Sequence, residues 1–211
     1  MSAQRTERSS TAPRVRNARG EGARLREEIV AAATTLLQAG PAEAVTLRAI
    51  ARTAGIAAPS IYRHFPDVDA ILRAVVDEAF DELTAALRDG ARGEDAVQRL
   101  FGVCRGYLDF AEAFPQRYRL MFGGAWNAAA TDDEDELAER SRIGLATFAV
   151  LTDALQECVD SGASSSSDVF ADTTALWVAL HGLAGLRRTA SLFPWPQGLD
   201  ERLVTALARL G

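Results

Sequence analysis

Apolar residues return every three or four positions along almost the whole chain. Nowhere do they alternate with period two for long enough to make a strand. Leu25, Ile29, Ala32 and Leu36 predict a first helix, which Gly40-Pro41 ends. Residues 46–65 predict two short helices joined by a tight turn. Thr46 can cap the first by accepting from a free amide, and Leu47, Ile50 and Ala51 give it one apolar face. Gly55 suits the left-handed backbone that stops a helix sharply, and Ile56 fills the corner. Ala58, restricted by the following proline, suits the cap of the second helix, with Pro59 at its first position. That helix stops at Phe65-Pro66, and Ile61 and Phe65, one turn apart, turn inward.

Asp67 caps a long third helix with the stripe Ile71, Leu72, Val75, Val76, Ala79, Phe80, Leu83 and Leu87, closed by Gly90 and Gly93. A further helix runs through Val97, Leu100, Phe101, Cys104, Leu108 and Ala111 to Phe114-Pro115, and a short one covers 115–122 before Gly123-Gly124. An acidic run at 132–136 precedes a predicted helix over 137–159. The acids suit the positive end of that helix's dipole; metal binding is the other reading. Residues 164–167 read as a flexible serine connector. Ser167 or Asp168 then caps a helix to about residue 192, Pro194-Trp195-Pro196 ends it, and 199–210 form the last helix. The pattern is all-α.

The pair at 46–65 has the design of a DNA-binding helix-turn-helix, with basic and hydroxyl residues on the exposed side of its second helix. Neither Ala57 nor Ala58 can cap the amides that follow, so a DNA phosphate could satisfy them. Ser60, Tyr62, Arg63 and His64 offer donors to phosphates or base edges.

Thr46-Leu47-Arg48-Ala49-Ile50-Ala51, then Ala54-Gly55-Ile56, then Ile61-Tyr62-Arg63-His64-Phe65, at this fixed spacing, resembles the TetR family of bacterial transcriptional regulators over about residues 24–88. The resemblance implies a homodimer on a palindromic double-stranded operator. It also implies a small molecule in the C-terminal domain that changes the spacing of the two reading heads, with repression as the default. Carried over residue by residue, Arg48 reaches a base, Pro59 a thymine methyl, and Arg63 a guanine or a phosphate. Thr46, Tyr62 and His64 suit phosphates. Two positions depart from the family pattern: Val68 stands where a phosphate-holding lysine is common, and Ala57 where a serine or threonine opens the second helix.

Three segments are expected: an arginine-rich arm at 1–23 that is disordered when free, a DNA-binding domain at 24–88, and a larger helical effector-binding and dimerisation domain at 89–211. The arm either follows DNA or is a solvated tail. Charge follows this division. The formal net charge is -6, yet residues 1–66 hold ten arginines against five glutamates, +5, which leaves -11 for the remainder. The basic end can meet phosphates while the acidic remainder is repelled from them. Every cation is arginine, which matches a GC-rich coding bias as well as bidentate recognition.

Within the larger half, Trp177-Val178-Ala179-Leu180-His181-Gly182-Leu183-Ala184-Gly185, together with Tyr118-Arg119-Leu120-Met121-Phe122, resembles the C-terminal domain of a TetR subgroup with Trp, His and Gly at this spacing. The family dimerises through its last two long helices, here 168–192 and 199–210. Phe101, Tyr107, Phe110, Met121, Trp126, Phe148, Trp177 and His181 are the candidates to line an effector cavity, which suits an apolar or aromatic molecule. Plain core packing is the competing reading for each of them. His181 is either the polar anchor or a satisfied core histidine.

The remaining composition narrows the classes. Cys104 and Cys158 are too few and too separated for a disulfide framework and read as reduced core residues; a redox switch is the alternative. No apolar run approaches the roughly 20 residues of a membrane span, so no membrane partner and a cytoplasmic location are expected. His64 and His181 are the only histidines, and His64 belongs to the motif, which leaves no pair for a metal site. No nucleophile elbow, phosphate loop or dinucleotide fingerprint appears, so neither enzyme activity nor a cofactor is expected. A helix-turn-helix used only to bind protein is the third class; a gel shift separates it from the regulator.

Overall fold

A computed structural model of the chain describes residues 21–40, 42–122, 134–140 and 142–211. Among these residues the fold is all-α, with no strand beyond an isolated bridge between Ser164 and Leu210. Most of the arm and Trp126 lie outside the described residues.

The first core belongs to the head. Helix α1 (Glu21–Ala39) turns Ile29, Val30, Ala33 and Leu37 inward. Thr46 caps α2 (Leu47–Thr53), its Oγ1 accepting from the Ala49 amide at 3.2 Å. Gly55 takes φ +66, so the chain turns sharply and the Ile56 amide reaches back to the Ala51 carbonyl at 2.9 Å. The second rod of the motif differs from expectation. It is a 3-10 segment over Ala58–Arg63, with Ala57 rather than Ala58 in the cap position and no side-chain cap bond. Ser60 N bonds to Ala57 O and His64 N to Ile61 O, both at 2.8 Å. The cause is local. With Pro59 lacking a donor, no cap, and Pro66 stopping the chain, the segment is too short to repay α-helix nucleation. Ile61 and Phe65 still point inward.

Asp67 caps α3 (Val68–Gly90), accepting from the Ala70 amide at 2.8 Å. This helix is shared. Ile71, Ala74, Val75 and Val76 complete the head core, while Ala79, Leu83 and Leu87 belong to the larger core. Phe80 packs against both. Helix α4 (Ala96–Ala113) crosses α3 with backbones almost touching: a Cβ placed on Gly102 would lie 1.9 Å from the Gly90 carbonyl oxygen. Helix α5 (Pro115–Phe122) wedges between the cores, with Leu120 in the first and Tyr118 and Met121 in the second.

The single helix expected over 137–159 is broken in two, α6 (Glu134–Arg140) and α7 (Leu145–Asp160). Gly144, at φ +84, separates them. Its bare backbone sits against Phe80, where a Cβ would come within 2.8 Å of the ring. Helix α8 (Val169–Thr189) is capped by Asp168, and α9 (Leu199–Leu207) starts after Gly198 at φ +66. Helix α8 ends short of residue 192. The Trp195 indole bonds to the Ala190 carbonyl at 3.1 Å and draws the chain off the helix axis. Helix α9 also ends early, because residues 208–211 are tied to the serine connector. That connector is pinned rather than loose: Ser164 Oγ donates to the Ala208 carbonyl at 2.7 Å and Ser165 N to the Arg209 carbonyl at 3.0 Å. Ser166 Oγ and Arg209 Nε both donate to Asp172 Oδ2, at 2.6 and 2.7 Å. These bonds hold the Asp172 carboxyl below the usual carboxylate range.

Helix α8 corrects one expectation. By length and composition it is apolar enough to cross a membrane. Its inner face, with Leu176, Leu180 and Leu183, packs into the larger core, Phe170 and Trp177 are partly exposed against Phe148, and Val178 and Leu186 are exposed on the outer side. Two apolar faces, not a lipid-embedded surface, explain its hydropathy. Cys104 and Cys158 are both free and buried, and burial raises the Cys104 thiol to about 12.

Candidate nucleic-acid interface and apolar cavity

The motif presents one outward face. Thr46, Arg48, Pro59, Tyr62 and Arg63 are exposed, Tyr62 by 61%, and Ser60 and His64 are half-buried beside them. Thr46 Oγ1 is engaged as an acceptor in the α2 cap, so its hydrogen is the part free for a phosphate oxygen. Arg48, Arg52 and Arg63 are exposed and form no ion pair among the described residues. Two further arginines frame this face. Arg26 lays its guanidinium 4.9 Å from the Phe65 ring centroid, which ties α1 to the end of the recognition segment. Arg24 pairs with Glu28 at 3.2 Å on an exposed flank. Sequence reasoning counted Arg24, Arg26 and Arg52 as charge without giving them places. Helical spacing alone does not say that the start of α1 lies beside the second rod.

The larger domain holds a cavity of about 440 Å³. Its walls are Phe80, Leu83 and Leu87 of α3, Tyr107 of α4, Met121 and Phe122 of α5, Ile143 to Leu145, Thr147, Phe148 and Leu151 at and within α7, and Phe170, Thr174 and Trp177 of α8. Tyr107, Met121, Phe148 and Trp177 were anticipated from the sequence. Phe148 meets Phe170 and Trp177 edge to face, at centroid separations of 5.7 and 6.1 Å.

Of the other anticipated residues, Trp126 is outside the described residues, and Phe101, Phe110 and His181 lie elsewhere. His181 stands behind the wall, its Nδ1 2.6 Å from Tyr118 Oη and its ring 4.8 Å from that of Phe122. Burial holds its pKa below the ordinary histidine value. Phe101 sits with Cys104, Leu108 and Val204 in the crevice between α4 and α9. It is turned about 120° from Tyr107 around a helix of 3.6 residues per turn. Phe110 lies beside the α3–α4 crossing against Phe114, centroids 5.2 Å apart. Sequence reasoning missed Phe80, Phe122, Thr147, Phe170 and Thr174. Phe80 read as one more member of a core stripe. Phe122 was visible only as the end of a short helix.

Tyr107 Oη is 3.0 Å from Tyr118 Oη, so a string of polar atoms runs from the cavity wall to His181. Burial pushes both phenols up, Tyr118 to about 12. The wall therefore carries no ionised group near neutral pH. Arg117 and Glu82 pair outside it, linking α5 to α3. No group of acidic, histidine or cysteine side chains among the described residues is arranged to hold a metal.

Comparison with known proteins follows the same division. Residues 29–75 match the family described as bacterial regulatory proteins, tetR family, and residues 100–210 match tetracyclin repressor-like, C-terminal domain. An uncharacterized HTH-type transcriptional regulator of Mycobacterium tuberculosis is 29% identical over 171 residues, which cover 78% of this chain and 70% of that protein. A solved structure of a Rhodococcus sp. RHA1 protein of unknown function is 26% identical, with TM-score 0.71 over 87% of this chain and 91% of that one. The fold is also that of PfmR, a TetR family transcriptional regulator from Thermus thermophilus, at 18% identity and TM-score 0.60 over 85% and 94% of the two chains.

Proposed function

The chain belongs to the TetR family of DNA-binding transcriptional regulators, and from that premise we propose that it is a ligand-responsive repressor. It binds a palindromic operator as a homodimer and leaves it when a small apolar or aromatic effector fills the α3–α8 cavity. Thr46, Arg48, Pro59, Ser60, Tyr62, Arg63 and His64 form the DNA surface in this reading, and Arg24, Arg26 and Arg52 extend it.

The observation that carries the reading is the shared helix α3. Its first half is packed into the head core, and its second half supplies Phe80, Leu83 and Leu87 to the cavity wall. A ligand that displaces these side chains acts on the rod to which the head is fixed, with no intermediate element. The partner surface is the outer face of α8, with α9 beside it. Val178 and Leu186 are exposed there, and nothing lies within 4 Å of a Cβ placed on Gly182 or Gly185, which leaves the backbone open to a second helix.

The test is a gel shift on operator DNA selected from genomic fragments, with the mass of the complex measured in parallel. Two chains per operator are expected. Compounds that raise the melting temperature of the free protein should release the DNA. Compounds that stabilise the protein through this cavity yet leave the DNA complex intact would sink the release mechanism.

A further inference from the structure

The cavity wall offers a ligand hydrogen-bond acceptors but no free hydroxyl hydrogen. Thr174 Oγ1 donates to the Phe170 carbonyl at 2.7 Å, so its hydrogen is spent within its own helix. Thr147 Oγ1, Thr84 Oγ1 and the Phe80 carbonyl form a triangle. Its edges are 2.6 Å between the hydroxyls, 2.7 Å from Thr84 to Phe80 and 3.4 Å from Thr147 to Phe80. In one arrangement Thr84 donates to Phe80 and Thr147 to Thr84; in the other Thr84 donates to Thr147 and Thr147 to Phe80. Both consume both hydrogens inside the triangle, and both leave lone pairs on Thr147 Oγ1.

The third polar group is the Tyr107 phenol. Tyr107 faces Tyr118, and Tyr118 faces His181 Nδ1. The order in which no buried hydroxyl hydrogen stands idle runs from Tyr107 through Tyr118 to His181 Nδ1. It leaves the Tyr107 hydroxyl hydrogen pointing away from the cavity. None of the lining residues carries a charge.

We propose that this cavity selects an uncharged amphiphile that brings its own donor: an alcohol or a phenol on an apolar body, its hydroxyl set on the lone pairs of Thr147 or Thr174. The inference rests on the effector-cavity reading above and names the class of effector. At these threonines a carboxylate or an ether meets acceptors with acceptors. A carboxylate also brings a charge into a wall with no counter-charge, which costs far more than a missed hydrogen bond. Phe148, Phe170 and Trp177 cover the apolar body.

The experiment is calorimetric titration of the full chain with decanol, its methyl ether, decanoate and a hexyl-substituted phenol. Decanol and the phenol should bind, the ether about three- to tenfold more weakly, and decanoate more than about a hundredfold more weakly. Thr147→Val or Thr174→Val should lower decanol affinity toward that of the ether and leave the ether unchanged. Thr174→Val keeps the test open if Thr147→Val, which also strips the Thr84 contact, fails to fold. The donor requirement is overturned if the ether or decanoate binds as well as decanol, or if neither variant weakens decanol. Should no compound bind at all, the effector-cavity reading falls, and this inference with it.

Discussion

The close backbone approach between α3 and α4 makes a graded prediction. Gly102 of α4 faces Gly90 of α3, and Gly106 faces Ala86 one turn along. A Cβ on Gly102 would sit 1.9 Å from the Gly90 oxygen, and one on Gly106 would sit 2.8 Å from the Ala86 oxygen. An ordinary carbon–oxygen contact near 3.4 Å requires the helices to part by roughly 1.5 Å for Gly102→Ala and roughly 0.6 Å for Gly106→Ala. A gap of about 1 Å already forfeits up to half of the dispersion attraction between facing atoms. Leu83, Leu87, Leu100, Val103 and Tyr107 all pack in this part of the core.

Overpacking of this size costs about 1–3 kcal/mol, and a larger displacement lies at the upper end. Replacing a helical glycine by alanine returns about 1 kcal/mol of helix propensity. Gly102→Ala should therefore lose a net of about 2 kcal/mol, which for a chain of this length lowers the melting temperature by about 4–8 °C. For Gly106→Ala the two terms nearly cancel. Paired thermal and urea melts decide the matter. A Gly102→Ala protein as stable as the parent, or a Gly106→Ala protein that is the less stable of the two, would show that this crossing is not held by backbone contact.

Two further outcomes concern the interface and pH. Arg48→Ala should relax operator preference, costing about 1–3 kcal/mol against the best sequence, while Tyr62→Phe weakens all sequences alike; uniform loss across operator variants in the Arg48→Ala gel shift would remove its base-reading role. His181 is held neutral by burial, so the unfolded chain takes up its proton first as pH falls below the ordinary value of 6.5. Its contribution is absent at higher pH and becomes a loss of stability as pH falls below about 6.5. His181→Gln should flatten that part of the urea-midpoint profile, and an unchanged slope would place the titration elsewhere.

Periodicity and punctuation sufficed for most of the helices. A capping Thr46 or Asp67, the left-handed Gly55, and apolar stripes such as Ile71 to Leu87 act within one or two turns, so the string of residues contains their causes. The outward face of the motif was legible for the same reason. Once Ile61 and Phe65 turn inward, Tyr62 and Arg63 have nowhere else to go. What the string left open was settled by partners distant along the chain. At Gly144, where the chain turns into α7 with φ +84, Phe80, sixty-four positions earlier, occupies the space a side chain would need. The serine connector is held by the chain's last residues and by Asp172, which no local pattern reveals. The cavity drew Phe80 and Phe170 onto its wall and left Phe101 and Phe110 elsewhere, because rotation about a helix axis is fixed by what packs on each side. Short-range sterics and hydrogen bonding are written locally. Which apolar side chain meets which, and where the gaps fall, depends on how whole helices settle against one another.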